Sequence, residues 1–291
     1  MKASPRVLVI GGMNADVLAT CEGEYREGDS VPGRLALRPG GVGRNVAAAL
    51  AAHGARVELL TALGTDGNSN TLRASCAALG IGLSLSLTVP GPSPAYVAIH
   101  SRDGRMRAAV NDMAALEAIT PECLEGMAGE LSSFDACVLD ANLREDTLVK
   151  AAHILRCPLV ADPVSAAKAP RLSRILPRLH AVKPNLLEAL AMTGREDAEG
   201  AAARLLGMGV RRVFISLGPE GVYWADGTTQ GRVPVHAVLT ASETGAGEAM
   251  TAGIAWGAAK GLSTEETACL GLEWAEGHLG GHYDENGGDE T

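Results

Sequence analysis

The chain has 291 residues, of which 46% are hydrophobic and 3% aromatic, and its formal net charge is −9. An acidic surface repels phosphate backbones and anionic lipid, and scarce aromatics leave little on which bases could stack, so nucleic acid and membrane are set aside as partners. No apolar run approaches the ~20 residues of a membrane helix, and the six scattered cysteines form no Cys-x-x-Cys pair, as in a cytoplasmic protein with reduced thiols.

The first predicted strand, residues 6–10, stops at Gly11-Gly12, too soon for a secretory segment. Residues 17–39 then alternate and turn at Pro32-Gly33, which predicts a hairpin, and Gly40-Gly41-Val42-Gly43 opens an Ala-rich helix over 45–53. A strand at 57–62 and a helix at 67–79 follow, then a second hairpin at 95–110 around Asp103-Gly104. Strands at 136–139, 159–161, 181–182 and 213–217 alternate with helices at 145–155, 185–192 and 199–208. Continuous apolar strands separated by helices predict a parallel sheet covered on both faces. With no repeat and no long linker, residues 1–291 read as one domain. The two hairpins read either as a lid over the strand ends or as ordinary surface hairpins. The polar, Gly-rich tail 280–291 is expected to fray.

Three stretches carry chemistry. Glu243-Thr244-Gly245-Ala246-Gly247-Glu248 opens a helix with small residues. Its free N–H groups suit an anion, and Glu248 beside them could orient a hydroxyl; an acidic first turn is also favourable by dipole alone. Asp16, in Gly12-Met13-Asn14-Ala15-Asp16 after the first strand, can accept two hydroxyl hydrogen bonds. Asn45, after Gly41 and Gly43, offers a donor and an acceptor. Asn14 and Asp16 serve equally as turn formers. No Walker A motif, His-Glu-x-x-His pair or G-x-S-x-G elbow occurs. Cys137 and Cys157 read as core residues, His53 as a surface residue, and Trp256 and Trp274 as core packing on late helices.

In order along the chain, these stretches resemble the ribokinase-like (PfkB) family of sugar and nucleoside kinases. Gly12–Asp16 looks like its first substrate loop and 40–47 like its first signature. Lys183-Pro184-Asn185-Leu186-Leu187-Glu188 looks like its N-x-x-E element, Ser216-Leu217-Gly218-Pro219-Glu220-Gly221 like its nucleotide-contacting turn, and 244–248 like its second signature. The strings 40–45, Asn111-Asp112-Met113, Asp162-Pro163-Val164-Ser165-Ala166 with Lys168, and Ala249-Met250 are similar to those of the pseudouridine kinases within that family.

The resemblance implies an α/β/α sandwich with a β lid, often shared across a homodimer, and a small nucleoside or sugar substrate. It implies ATP and Mg²⁺, and leaves room for a monovalent cation such as K⁺. Asn14, Asp16, Gly41 and Asn45 would hold the acceptor, with Asn111 or Asp112 reaching it from the lid base. Asn185, Ser216, Gly218 and Gly221 would contact nucleotide, Glu188 the metal, and Lys168 either phosphate or solvent. Gly245, Ala246 and Gly247 would receive the developing charge and Glu248 the proton. The reaction implied is 5′-phosphorylation of pseudouridine, another family acceptor (ribose, adenosine, a ketosugar acid) being the alternative.

Two positions depart from the family pattern: Glu248 stands where the family has Asp, and Ser242 where it often has a cation-binding Asp. A weakly active or inactive nucleoside-binding protein, or an introduced substitution at Glu248, therefore also fits.

Overall fold

The computed structural model describes residues 4–236 and 245–279. The strands are β1 Arg6–Ile10, β2 Asn14–Cys21, β3 Gly33–Gly40, β4 Arg56–Leu60, β5 Ala62–Leu63, β6 Leu87–Thr88, β7 Ala95–His100, β8 Met106–Asp112, β9 Ala136–Asp140, β10 Leu159–Asp162, β11 Ala181–Val182, β12 Val213–Ser216, β13 Val222–Ala225 and β14 Gln230–Val233. The helices are α1 Val42–Ala52, α2 Gly67–Ala78, α3 Pro121–Gly126, α4 Ala128–Leu131, α5 Glu145–Ile154, α6 Leu186–Thr193, α7 Ala198–Gly207, α8 Ala246–Lys260 and α9 Thr264–Leu279.

The main sheet has eight strands in the order β14-β13-β12-β11-β10-β9-β1-β4. Its strands are short and apolar throughout because both faces are covered. Along β1, Val7 and Val9 face one layer with α1, α2, α8 and α9, while Leu8 and Ile10 face the other with α3, α5, α6 and α7. This three-layer α/β/α arrangement agrees with the sequence pattern. Pairing is parallel from β4 through β12, but β12, β13 and β14 pair antiparallel. The wholly parallel sheet expected from the sequence is corrected there, because the short turns at 218–221 and 226–229 leave no room for a crossover helix. The strand expected at 57–62 is broken at Thr61, and β5 pairs with β6 in a separate ladder.

Both expected hairpins form, and they join into one four-stranded sheet, β3-β2-β7-β8, through parallel pairing of β2 with β7. This sheet is longer than the hairpins expected: β2 begins at Asn14, β3 ends at Gly40 and β8 runs to Asp112. Asn14 and Asp16 therefore lie on a strand rather than in a loop. The in-register row Arg38–Asp16–Tyr96–Asn111 crosses this sheet, so these side chains share one face. Trp274 is buried, Trp256 is partly buried, and His53 is not a plain surface residue, since its ring stacks on Trp274 at 3.4 Å.

Candidate active site

The close approach of two glycine segments builds the acceptor side. Gly41 takes φ 99°, and a side chain on it would strike the Gly12 carbonyl at 2.6 Å, so the turn before α1 lies directly on the turn after β1. Arg44 N–H donates to the Gly12 carbonyl at 3.1 Å and completes the junction. Asn14 donates from Nδ2 to Asp16 Oδ1 at 2.5 Å, which orients the Asp16 carboxylate. Burial raises the Asp16 pKa, with the Asn14 bond and the Arg44 charge opposing.

Arg44 is buried to 1% exposure, and its Nη1 donates to Asn45 Oδ1 at 3.2 Å. The Asn45 side chain in turn stands beside the Glu248 carboxylate and helps to hold its pKa down. This run, Arg44–Asn45–Glu248, joins the first turn of α1 to the first turn of α8. The spacing Arg44-Asn45 placed Asn45 near the helix start; only tertiary folding brings it to Glu248.

An ionic cluster lies beneath the start of α8. Gly245 is its N-cap in the left-handed region, at φ 93°. The Lys183 ammonium lies 3.5 Å from Asp162 Oδ2, with both side chains 6% exposed. It would stand 3.1 Å from a β-carbon on Gly247, so a glycine is what lets this cation reach the helix turn. Burial alone would lower the Lys183 pKa, but the Asp162, Glu188 and Glu248 carboxylates together hold it above the ordinary value. Glu248 is raised by burial first and by Asp162 second, while Lys183, its own backbone N–H and Asn45 pull it down. A carboxylate with a raised pKa is a better proton acceptor near neutrality. Asp162 is fixed by Thr251 Oγ1 and by the Val164 amide, each donating at 2.8 Å.

Asn185 and Glu188 form a reciprocal capping box at the start of α6. The Glu188 amide donates to Asn185 Oδ1, and the Asn185 amide donates to Glu188 Oε2, both at 2.9 Å. The N-x-x-E spacing is thus a helix cap as it stands. Ser216 bridges Asn185 at the end of β12, and the Gly218–Gly221 turn closes by the Leu217 N–H to the Gly221 carbonyl at 2.8 Å. These residues form one neighbourhood.

Among the described residues, no three His, Cys, Asp or Glu side chains converge to hold a metal ion unaided. Mg²⁺ ordinarily takes one or two carboxylates and completes its shell with phosphates and water. Glu188, with one oxygen committed to the Asn185 amide, has the other to offer, so the residues fit that manner of binding. The expectation of a monovalent cation rests on Ser242 and Glu243, which with Thr244 lie outside the described residues.

Lys168, expected to meet either phosphate or solvent, is half-buried beside Asn142. Its ammonium donates to Asn142 Oδ1 at 2.6 Å and lines a cavity of about 290 Å³ with Asn111 and Asp112. The loop after β10 carries it beside the end of β8.

Sequence reasoning missed Asp140, Asn142 and the role of Lys183. A fully buried aspartate ending an apolar strand was the available signal for the first. Asp140 accepts from the Gly12 amide at 2.7 Å and the Asn142 amide at 2.9 Å, fixing the turn that leads to Asn14. Burial pushes its carboxyl from 3.8 up to about 6. Between those values the folded chain holds a proton that the unfolded chain has lost. The Asp140 contribution to stability therefore falls as pH rises through about 6. Urea unfolding of wild type and Asp140→Asn from about pH 4 to about pH 7 should show the wild type losing stability relative to the variant as the pH rises to about 6, with little change above it. A pH-independent difference would contradict the assignment.

Comparison with known proteins gives a consistent picture. A pfkB family carbohydrate kinase profile matches residues 4–277. The chain is 35% identical to the pseudouridine kinase of Escherichia coli, over 88% of this chain and 84% of that protein. It is 29% identical to the cytidine kinase of Thermococcus kodakarensis, over 92% and 94% of the two chains. Among solved structures, the ribokinase of Thermotoga maritima superposes with a TM-score of 0.85 at 23% identity, covering 93% of this chain and 91% of that one, a likeness of fold.

Proposed function

We propose that this chain, which belongs to the pfkB family of carbohydrate kinases, transfers the γ-phosphoryl group of ATP to the 5′-hydroxyl of pseudouridine. The observation that carries the reading is the meeting of α1 and α8, where Asn45, bonded to Arg44, stands beside the Glu248 carboxylate at a glycine-opened helix start. The 35% identity to a pseudouridine kinase supports the choice of acceptor.

When bound, Mg-ATP supplies the phosphoryl group, with Glu188 on the metal and the Asn185–Ser216 and Gly218–Gly221 neighbourhood on the nucleotide. Asp16, steered by Asn14, holds ribose hydroxyls. Glu248 accepts the proton of the 5′-hydroxyl as its oxygen attacks, and Asn45 fixes the carboxylate in line. The N–H groups at Gly245–Gly247 and the Lys183 ammonium face the charge that develops on the transferred group. The lid sheet excludes water that would otherwise compete as acceptor.

The test is ADP release with Mg-ATP across pseudouridine, uridine, cytidine, adenosine and ribose, with mass detection of the product. Selective turnover of pseudouridine is expected. Turnover of a different acceptor would reassign the substrate, and nucleoside binding without turnover would make the chain a non-catalytic binder.

The same reading includes a homodimer through the lid. The face opposite Asp16 carries the row Leu37–Val17–Val97–Val110, and Leu37 and Val110 are 54% and 70% exposed. Apolar side chains so exposed on one sheet face favour burial against a second copy. Leu37→Asp is expected to convert a dimer to a monomer in sedimentation analysis; a monomeric wild type would refute this.

A further inference from the structure

The turn after β10 holds the one non-glycine among the described residues with a left-handed backbone, Val164 at φ 66°. A branched side chain crowds its own backbone there, so the conformation lasts only where surrounding contacts impose it. Three contacts do so. The partly buried Val164 side chain packs on the core layer that contains Leu8 and Ile10. Its amide donates to Asp162 Oδ1 at 2.8 Å. Behind it, the Ser165 amide donates to the Pro163 carbonyl at 2.7 Å and closes the turn.

Glycine or asparagine would take this backbone more readily. A valine here combines a strained turn with an anchor in the core, and the turn ends on Asp162. That carboxylate is 4% exposed. With Oδ1 committed to Val164, its Oδ2 is turned to Thr251 Oγ1 at 2.8 Å and to the Lys183 ammonium at 3.5 Å. Thr251 lies on α8, and Lys183 reaches the α8 turn at Gly247. Hydrogen bonds on both oxygens stop the carboxylate from rotating about its Cβ–Cγ bond. Without the bond from Val164 it would swing, and Glu188 and Glu248, which share the same ammonium, would draw Lys183 from its place.

We propose that Val164 is a positioning residue of the phosphoryl-transfer centre: its anchored turn holds the Asp162 carboxylate in one orientation, and that orientation sets the Lys183 ammonium beneath the Gly245–Gly247 turn. This rests on the kinase reading above. In that reading neither Val164 nor Asp162 touches nucleotide or acceptor, and Lys183 faces charge that appears only during transfer. Loosening the turn therefore falls on kcat and leaves KM.

Val164→Ala and Val164→Gly are compared with wild type in urea unfolding, then in kinetics with whichever acceptor the wild type phosphorylates. Both variants lose the anchor, and only glycine is free of the left-handed penalty. Val164→Gly should show the higher urea midpoint of the two, the reverse of the usual order of these residues. Both should lower kcat by about tenfold or more, with KM for ATP and for the acceptor changing by less than about threefold. In an Asp162→Asn background the charge that Val164 orients is gone, so Val164→Gly should lower kcat by less than about twofold further. A midpoint for Val164→Ala as high as that for Val164→Gly would overturn the strain. The same tenfold loss in both backgrounds, or a loss confined to KM, would overturn the positioning role. Turnover by the wild type with kcat unchanged in both variants would sink this proposal alone, whereas a wild type that phosphorylates no acceptor would sink the kinase reading beneath it.

Discussion

Glu248→Gln is expected to lower kcat by about 10²–10⁴-fold, the span by which a positioned proton acceptor accelerates a reaction. Nucleoside Kd should hardly change, because the amide keeps the shape of the side chain and can still pair with Asn45. Glu248→Asp is the sharper experiment. The family has Asp at this position, and a site that merely tolerates Glu would gain from the exchange. Here the longer side chain reaches Asn45 and the Lys183 charge, both of which hold its pKa down. Shortening it by one methylene draws the carboxylate away from Asn45. A displacement of order 1 Å costs on the order of 10²-fold, so the Asp variant is expected to be slower than wild type. Rapid-quench measurement of the transfer step checks this. A faster Asp variant would mean that Glu248 is a handicap and that the chain is better read as a nucleoside binder.

Lys183→Met should have the largest effect on stability. Its ammonium is the cation among the buried Asp162 and Glu188 and the partly buried Glu248 carboxylates. Removing one partner of a buried pair costs about 3–5 kcal/mol, because the remaining charge stays buried without compensation. The loss should appear as a lower urea midpoint with an unchanged slope. Asp162→Asn in the Lys183→Met background should recover part of it, since the double change removes charge of both signs. A single variant as stable as wild type would show that solvent already screens the cluster. Turnover in Lys183→Met should fall as well, since the same ammonium reaches the turn at Gly247.

Where a segment's own pattern dictated its state, the sequence was readable. Val7, Val9, Leu8 and Ile10 alternate over both layers, so β1 was evident, as were the two hairpins from their turn residues. Helix α9 was anticipated only as the late helix that carries Trp274, without bounds, because it packs on α8 through small residues such as Gly271 against Gly253 rather than through a strong apolar stripe. The helical turn at Ala169–Arg178 contains Pro177 and reads as a break. The antiparallel strands β13 and β14 escaped because strand direction is a property of the connection, not of the strand.

The site divides in the same way. Glycine segments, the Asn185-x-x-Glu188 cap and the carboxylate at Glu248 are local patterns with local physical causes, and the sequence by itself determined them. The grouping was decided only by tertiary structure: Asn45 on Glu248, Lys183 against Gly247, Asp140 under Gly12, and Lys168 beside the end of β8. Each joins residues far apart in the chain. The reason is electrostatic. A charge is stable in the interior only beside its partner, and which groups become partners depends on where parallel strands end together, not on their spacing in sequence.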